Sequence, residues 1–135
     1  MFLKESKRAQ KIHEKVQSVS FEFTGNILFT RLKYQLELET LQPKFNFQRN
    51  KRKVVGNFAH TDFIIQHKGR ELDENAIILV ENSEVVGYGY TNLSFQESQL
   101  DILRSKLTPI ENKQLAKSIV KNYLKGNSVS KIIRF

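Results

Sequence analysis

The chain has 135 residues, of which 39% are apolar and 27% are charged, a balance typical of a globular protein and not of a disordered one. It has no cysteine, which excludes a disulfide framework, a thiolate metal site and a thiol nucleophile. It has no apolar run of about 18 residues, the length that a membrane-spanning helix needs. The first ten residues lack the apolar core of a signal peptide, and together these features predict a cytoplasmic protein without a membrane partner.

The net charge of +8 is unevenly spread along the chain. Residues 1–53 hold 12 basic and 5 acidic side chains, whereas residues 54–135 hold 10 and 9. A basic half beside a nearly neutral half favours contact of the first half with a polyanion such as DNA. A basic surface that is simply solvated is the alternative.

The spacing of residues 4–16 predicts a helix. Lys4, Arg8, Lys11 and Lys15 would fall on one ridge, next to an apolar stripe. Like charges four residues apart repel each other, and phosphate groups would relieve that repulsion. The ridge therefore indicates a phosphate contact or, with equal weight, a solvated face.

Residues 18–24, "SVSFEFT", alternate between apolar and polar side chains and predict a strand with Val19, Phe21 and Phe23 on one face. A turn follows, and then a predicted helix over residues 26–41.

Asn26 is the expected N-cap of that helix, and Pro43 marks its end. The next stretch, residues 42–53 with the sequence "QPKFNFQRNKRK", contains five cations and no acid. It is the most basic part of the chain.

Three short segments rich in β-forming residues follow, at 60–66, 75–82 and 84–92. Their spacing predicts a three-stranded antiparallel meander. Gly87 and Gly89 would share one face of the last strand and allow a helix to approach it closely. Lys68 and Arg70 flank Gly69 in the first connection and would form a small cationic tip, which could take a phosphate through the exposed backbone of the glycine.

Two helices are predicted after the meander. A capping box at Ser94 and Glu97 opens the first, and the second covers about residues 111–125. Four lysines at spacing four would line the solvated side of the second helix: Lys113, Lys117, Lys121 and Lys125. The last residues, "KIIRF", predict a closing strand or a docked tail.

No catalytic motif is evident. The three histidines lack metal-ligand spacing, and neither a phosphate-binding glycine loop nor a serine nucleophile motif is present. Tyr88 and Tyr90 share a strand face, where they would either stack on bases or pack in the core. Neither a cofactor nor a metal is expected, except a divalent cation if any catalytic activity survives.

The segment from Ser18 to Arg52, which contains "TGN" and "QPKFNFQRNKR", resembles the second half of a GIY-YIG nuclease domain. It is most similar to the version found in UvrC-like proteins and in bacterial fusions with a DNA polymerase III epsilon-like exonuclease. Matching positions are Thr24, Gly25, Pro43, Lys44, Phe45, Asn46 and Arg49. Residues 62–90, with "DFIIQHKGRELDENAIILVEN" and "GYGY", and residues 108–135 resemble the C-terminal part of the same fusions.

The departures from the family pattern bear on activity. The family's namesake tripeptides and its helical arginine would lie before Met1, and its catalytic glutamate falls at Tyr34. A phenol does not replace a carboxylate as ligand to a hard divalent cation. Glu37 lies almost one turn further on, too far for the same metal geometry. The resemblance therefore implies a chain that is not catalytic on its own. Asn46 is expected to make a structural hydrogen bond and not a contact to DNA.

The resulting prediction is an α+β protein with two parts. Residues 1–53 would be a truncated GIY-YIG-like segment of helix, strand and helix, and residues 54–135 an accessory domain with the meander and two C-terminal helices. The function implied by the resemblance is DNA backbone binding in a repair or replication setting. The residues predicted to contact phosphate are Lys11, Lys15, Lys44, Arg49, Lys51, Arg52 and Lys53, with Lys68 and Arg70 as a second group.

Three alternatives remain open at this point. In the first, the chain is part of a metal-dependent nuclease whose missing half is a protein partner. In the second, it is a protein-interaction module that docks through the meander face. In the third, it is a decayed gene product without a retained role.

Overall fold

The architecture comes from a computed structural model of the chain, which describes residues 6–45, 56–92 and 100–135. The helices are α1 (Lys7–Lys15), α2 (Ile27–Leu41), α3 (Leu100–Lys106) and α4 (Lys113–Gly126). The strands are β1 (Phe63–Lys68), β2 (Asn75–Glu81), β3 (Glu84–Thr91), β4 (Thr108–Pro109) and β5 (Lys131–Arg134). The prediction of a mixed α+β protein is confirmed. None of the helices in these ranges is long and apolar enough to cross a membrane.

All five strands belong to one antiparallel sheet with the order β4-β3-β2-β1-β5. The predicted meander forms its centre, and the C-terminal segment is a closing strand that pairs with β1. Asn82 and Ser83 join β2 to β3 with φ angles of 51° and 61°. Positive φ at both central residues is the geometry of a tight hairpin turn whose twist matches the strands.

Both faces of the sheet are covered. Phe63, Ile65 and Ile78 point to the face on which α2 and α4 pack, whereas Ile64 and Ile77 point to the face covered by α3. Five consecutive residues of β2 are buried, which is the pattern of a strand that lies between two layers. Among the described residues, the meander therefore has no free apolar face for a docking partner, so that alternative finds no support there.

Helix α2 forms as predicted. The Asn26 side chain accepts a hydrogen bond from the Phe29 amide at 2.9 Å and caps the helix. Leu28, Phe29 and Leu32 are fully buried in the same cluster as sheet and α4 residues. The predicted domain boundary at 53–54 lies outside the described residues, and the segments on its two sides contribute to a common core.

The predicted strand at 18–24 is wrong. Residues 16–24 pair with no strand of the sheet, so the expected order of helix, strand and helix becomes helix, irregular segment and helix. Val19, Phe21 and Phe23 are 85%, 84% and 73% exposed. Alternation along the sequence indicates an extended backbone with two different faces, but it does not supply the neighbouring strand that a ladder needs.

The prediction for the lysines of α4 is wrong for Lys117, which is only 5% exposed. Its Nζ donates to Asn57 Oδ1 at 2.8 Å, and Lys121 Nζ donates to the Gly56 and Asn57 carbonyls. Both ammonium groups lie about 6 Å from the centre of the Phe58 ring. Residues spaced by four drift by about 40° around a helix, which turns the middle of the row toward segment 56–58.

Gly87 and Gly89 allow the close approach that their position predicts. A Cβ at Gly87 would lie 3.2 Å from Leu107 Cβ, and one at Gly89 would lie 3.1 Å from Leu107 Cδ2. Leu107 directly follows α3, which begins at Leu100 in the described residues. The predicted capping box at 94–97 lies outside them.

Gly25 leaves the least room for a side chain among the described glycines. Its φ angle is 81°, and a Cβ built on it would lie 2.1 Å from the Gly69 carbonyl oxygen. One residue further on, Asn26 Nδ2 donates to the Lys68 carbonyl at 2.7 Å. The start of α2 is thereby joined to the β1–β2 turn through contacts that require a glycine.

We expect Gly25→Ala to destabilise the protein by at least about 2 kcal/mol, because it adds a left-handed backbone penalty and a steric overlap. Gly126→Ala is the matched control, since a Cβ there meets nothing within 4 Å and a compatible glycine replacement is neutral or slightly stabilising. Urea denaturation followed by circular dichroism measures both. Equal stability of the two variants would contradict the Gly25–Gly69 contact.

Candidate nucleic-acid interface

Helix α1 presents a row of cations to solvent. Ser6 caps it, with its Oγ accepting a hydrogen bond from the Ala9 amide at 3.1 Å. Lys7, Lys11 and Lys15 fall within about 80° of one another around the helix axis. No residue of α1 is buried. The cationic row is therefore open to a ligand along its whole length.

The turn after α2, which contains Lys44, comes close to this row. Gln42 ends α2 in a left-handed conformation with φ of 42°, and the chain then turns through Lys44 and Phe45. Lys15 Nζ lies 6.0 Å from the centre of the Phe45 ring. Lys15 thus lies near the turn that contains Lys44, although the two were predicted from separate stretches of sequence.

The charges of this surface are not neutralised within the described residues. No ion pair there involves Lys11, Lys15 or Lys44, whereas four cations elsewhere are matched to carboxylates. The matched cations are Lys33, Arg70, Arg104 and Lys113. We call Lys7, Lys11, Lys15 and Lys44 the basic surface. Lys7 was not among the predicted contacts, although its spacing of four from Lys11 was a signal for it.

Four predicted cations and one predicted structural residue cannot be placed on this surface. Arg49, Lys51, Arg52, Lys53 and Asn46 lie outside the described residues, so their roles stay predictions. They follow Phe45 directly in the sequence.

Lys68 and Arg70 lie elsewhere, beside the start of α2. The 15 residues of α2 span about 22 Å, so these two cations are separated from the basic surface by roughly the length of that helix. Lys68 is exposed. The Gly69 amide, however, donates to the Glu74 carbonyl at 3.0 Å, so this amide is not free to donate to a phosphate, and phosphate contact by Lys68 and Arg70 stays a prediction.

Arg70 is held by the protein itself. Its Nε and its backbone amide each donate to Glu74 Oε2 at 2.9 Å, and its guanidinium carbon lies 4.0 Å from the centre of the Tyr90 ring. The hydrogen bond from Arg70 lowers the pKa of Glu74 from 4.5 to about 2. The arginine therefore serves a structural ion pair, and binding of a phosphate would have to compete with it.

The two tyrosines of β3 pack rather than stand free. The Tyr88 and Tyr90 rings lie 5.9 Å and 5.1 Å from the Phe29 ring, centre to centre. Tyr90 OH donates to the Thr24 carbonyl at 2.9 Å, and burial raises its pKa to about 12. Of the two predicted roles, packing is the one that the structure shows for both rings.

No arrangement for catalysis is evident in the described part of the chain. It contains no group of three or more histidine or carboxylate side chains arranged to hold a metal. His67 Nε2 lies 3.3 Å from Tyr123 OH, and burial lowers the pKa of His67. Tyr34 and Glu37 are exposed on α2.

Comparison of the chain with protein-family models, with curated proteins and with solved structures found no match. The resemblance to GIY-YIG proteins therefore stays a prediction.

The Arg70–Glu74 pair predicts a measurable pH dependence. A carboxyl group whose pKa falls from 4.5 to about 2 on folding contributes stability that is present above pH 4.5 and is lost as the pH falls toward 2. We expect Glu74→Gln to flatten the stability curve in this window. At neutral pH it should cost about 1 kcal/mol, because a charged hydrogen bond at a partly exposed arginine is weakened by solvent.

Glu71→Gln is the matched control, because the Glu71 side chain is exposed and lies in the same turn. Urea denaturation between pH 2 and pH 7 gives the stability, and NMR titration gives the pKa of Glu74. A Glu74 midpoint near 4.5, or parallel curves for wild type and Glu74→Gln, would contradict the ion pair.

Proposed function

We propose that this protein associates with DNA by binding its phosphate backbone on the basic surface, and that the chain on its own does not cleave DNA. The observation that carries the proposal is the contact of Lys15 with Phe45, 6.0 Å from Nζ to the ring centre. This contact places the cationic row of α1 next to the turn at the start of residues 42–53, the most basic stretch of the chain.

Electrostatics supports a polyanionic ligand at this place. The Cβ atoms of lysines four residues apart on α1 lie about 6 Å from one another, and the positive charges of these lysines repel. No carboxylate of the described residues forms an ion pair with them. Phosphate groups would relieve the repulsion and release counterions. An isolated helix of nine residues is also marginal in water, so a bound backbone would stabilise α1.

The proposed contacts are to phosphate rather than to base edges, which implies little sequence preference. The DNA repair or replication setting rests on the resemblance to GIY-YIG and exonuclease fusions alone. The proposed lack of cleavage rests on residue 34, where the resemblance places a metal-binding carboxylate and the chain has a half-exposed phenol. Such a phenol is a poor ligand for Mg²⁺ or Mn²⁺.

We expect the combined Lys11→Gln, Lys15→Gln and Lys44→Gln variant to bind DNA at least about tenfold more weakly at low salt. The slope of log affinity against log salt should fall by about 2 to 3, since each lost phosphate contact contributes about 0.7 on single strands and 0.9 on duplex. Fluorescence anisotropy with single-stranded, duplex and branched DNA over a salt series measures both quantities.

The control removes the same number of charges at other exposed cations: Lys106→Gln, Lys125→Gln and Lys131→Gln. Equal losses for the two triple variants would show that net charge, and not the basic surface, sets the affinity. The length of the DNA is checked after incubation with Mg²⁺ or Mn²⁺. Metal-dependent shortening by the purified chain would overturn the non-catalytic proposal and point to Glu37, and shortening only when a second protein is added would indicate a nuclease completed by another chain.

A further inference from the structure

Two phenylalanine rings are exposed to solvent in the segment that follows α1. Phe21 and Phe23 are 84% and 73% exposed, and their ring centres lie 5.6 Å apart with the ring planes nearly perpendicular. The free energy that burial of these rings would contribute to folding is not gained here. Two exposed rings in contact also differ from the single exposed apolar side chains that are common on protein surfaces.

The polar side chains next to these rings hold the segment against α2. Glu22 forms an ion pair with Lys33, and the Oγ1 atoms of Thr24 and Thr30 share a hydrogen bond. Adjacent side chains of an extended segment point to opposite sides, so these contacts are consistent with phenylalanines that point away from α2. The rings are thereby already positioned, which reduces the entropy that is lost when a ligand binds them.

A third exposed ring lies on α2 beside these contacts. Tyr34 is 50% exposed. It follows Lys33 directly and lies about one helical turn beyond Thr30. We call Phe21, Phe23 and Tyr34 the aromatic surface. Its exposed rings suit planar ligand groups, because aromatic rings stack on one another.

The aromatic surface is a short distance along the chain from the basic surface. Lys15 ends α1 and Phe21 follows six residues later, so the Cα atoms of the two residues are at most about 22 Å apart. Helix α1 has four cations and one carboxylate, Glu14, so its net charge is positive. A ligand with both negative charges and planar rings could therefore contact both surfaces at once.

The exposed carboxylates favour one orientation of such a ligand. Glu37 lies less than one turn beyond Tyr34, and Glu22 lies between the two phenylalanines in the sequence. These carboxylates repel phosphate groups from the aromatic surface, whereas the lysines of α1, which form no ion pair among the described residues, attract them. Both sets of charges thus favour phosphates on the basic surface and uncharged bases on the aromatic surface.

Base pairing decides which DNA has this chemistry. In a duplex the faces of each base are covered by its neighbours, whereas the bases of a single strand are free to stack on aromatic side chains. We propose that this protein prefers single-stranded DNA, with bases stacked on Phe21, Phe23 and Tyr34 and with phosphates on the basic surface. The inference rests on the proposed function and adds to it the class of DNA that is bound.

The test measures binding of the full chain to three labelled DNAs by fluorescence anisotropy over a salt series. They are a thymine strand of about 12 nucleotides, within the usual site size for single strands, the same strand without its central bases, and a duplex of the same length. The abasic strand keeps the phosphates and removes the stacking groups. We expect the thymine strand to bind at least about tenfold more tightly than the abasic strand, and more tightly than the duplex at physiological salt.

Phe21→Leu with Phe23→Leu removes two aromatic faces and keeps apolar side chains at both positions. This variant should lose at least about tenfold in affinity for the thymine strand, with unchanged affinity and salt slope for the abasic strand and the duplex. Phe135→Leu is the matched control, because Phe135 is 39% exposed and follows β5 at the edge of the sheet. In NMR spectra, the ring protons of Phe21 and Phe23 should shift upfield when the thymine strand binds.

Several results would overturn the proposal. One is a thymine strand that binds no more tightly than the abasic strand or the duplex, and another is tight binding that survives Phe21→Leu with Phe23→Leu. An equal loss of affinity for the duplex would show that the rings do not act on unpaired bases. In sedimentation, a dimer that dissociates on the same substitutions would show that a second copy covers the aromatic surface.

Failure of the proposed function has a different signature. It would appear as the absence of salt-dependent binding to the abasic strand and the duplex, which contact the basic surface alone. Salt-dependent binding to all three DNAs with equal affinity would instead overturn the stacking proposal and leave the proposed function standing.

Discussion

The contact between Gly25 and Gly69 is the constraint on which the arrangement of the first forty-five residues depends. Because the two backbones touch and Asn26 bonds to the Lys68 carbonyl at 2.7 Å, α2 starts at one fixed point on the sheet. The Asn26 side chain serves twice, as acceptor for the helix cap and as donor to the β1–β2 turn. This fixed start sets the direction of α2, and α2 in that direction buries Leu28 and Leu32.

The surroundings of that contact reinforce it with polar groups. Tyr90 OH reaches the Thr24 carbonyl, and Arg70 lies over the Tyr90 ring while Glu74 holds the guanidinium. These groups are at one end of α2, whereas the basic surface is at the other. Arg70, at one end of α2, is already paired with Glu74, whereas the lysines of the basic surface at the other end have no carboxylate partner among the described residues. Binding of a phosphate backbone would therefore gain more electrostatic free energy at the basic surface than at Arg70.

The proposed DNA contact concerns a part of the described chain that contributes little to its core. Helix α1 buries no residue, and residues 16–24 expose Val19, Phe21 and Phe23. The sheet, α2 and α4 supply the buried apolar residues. An exposed basic helix suits a phosphate backbone as its ligand.

The sequence alone determined the elements whose signals are local. These include the Asn26 cap, the helix up to the turn before Pro43, the three strands of the meander and the close approach at Gly87 and Gly89. It also determined the basic character of α1. Each of these features depends on residues that are a few positions apart, and the spacing of those residues specifies the helix face, strand face or turn on which they lie.

Only the tertiary structure decided which of these elements find neighbours. Residues 16–24 have no strand partner in the sheet, and Lys117 is buried against Asn57. Arg70 forms an ion pair with Glu74, and Lys15 lies next to Phe45. The Arg70–Glu74 contact joins residues four positions apart, and the contacts of Lys117 and Lys15 join residues tens of positions apart. The period of the side chains specifies the face on which a residue lies, but what packs against that face depends on contacts between residues distant in the sequence.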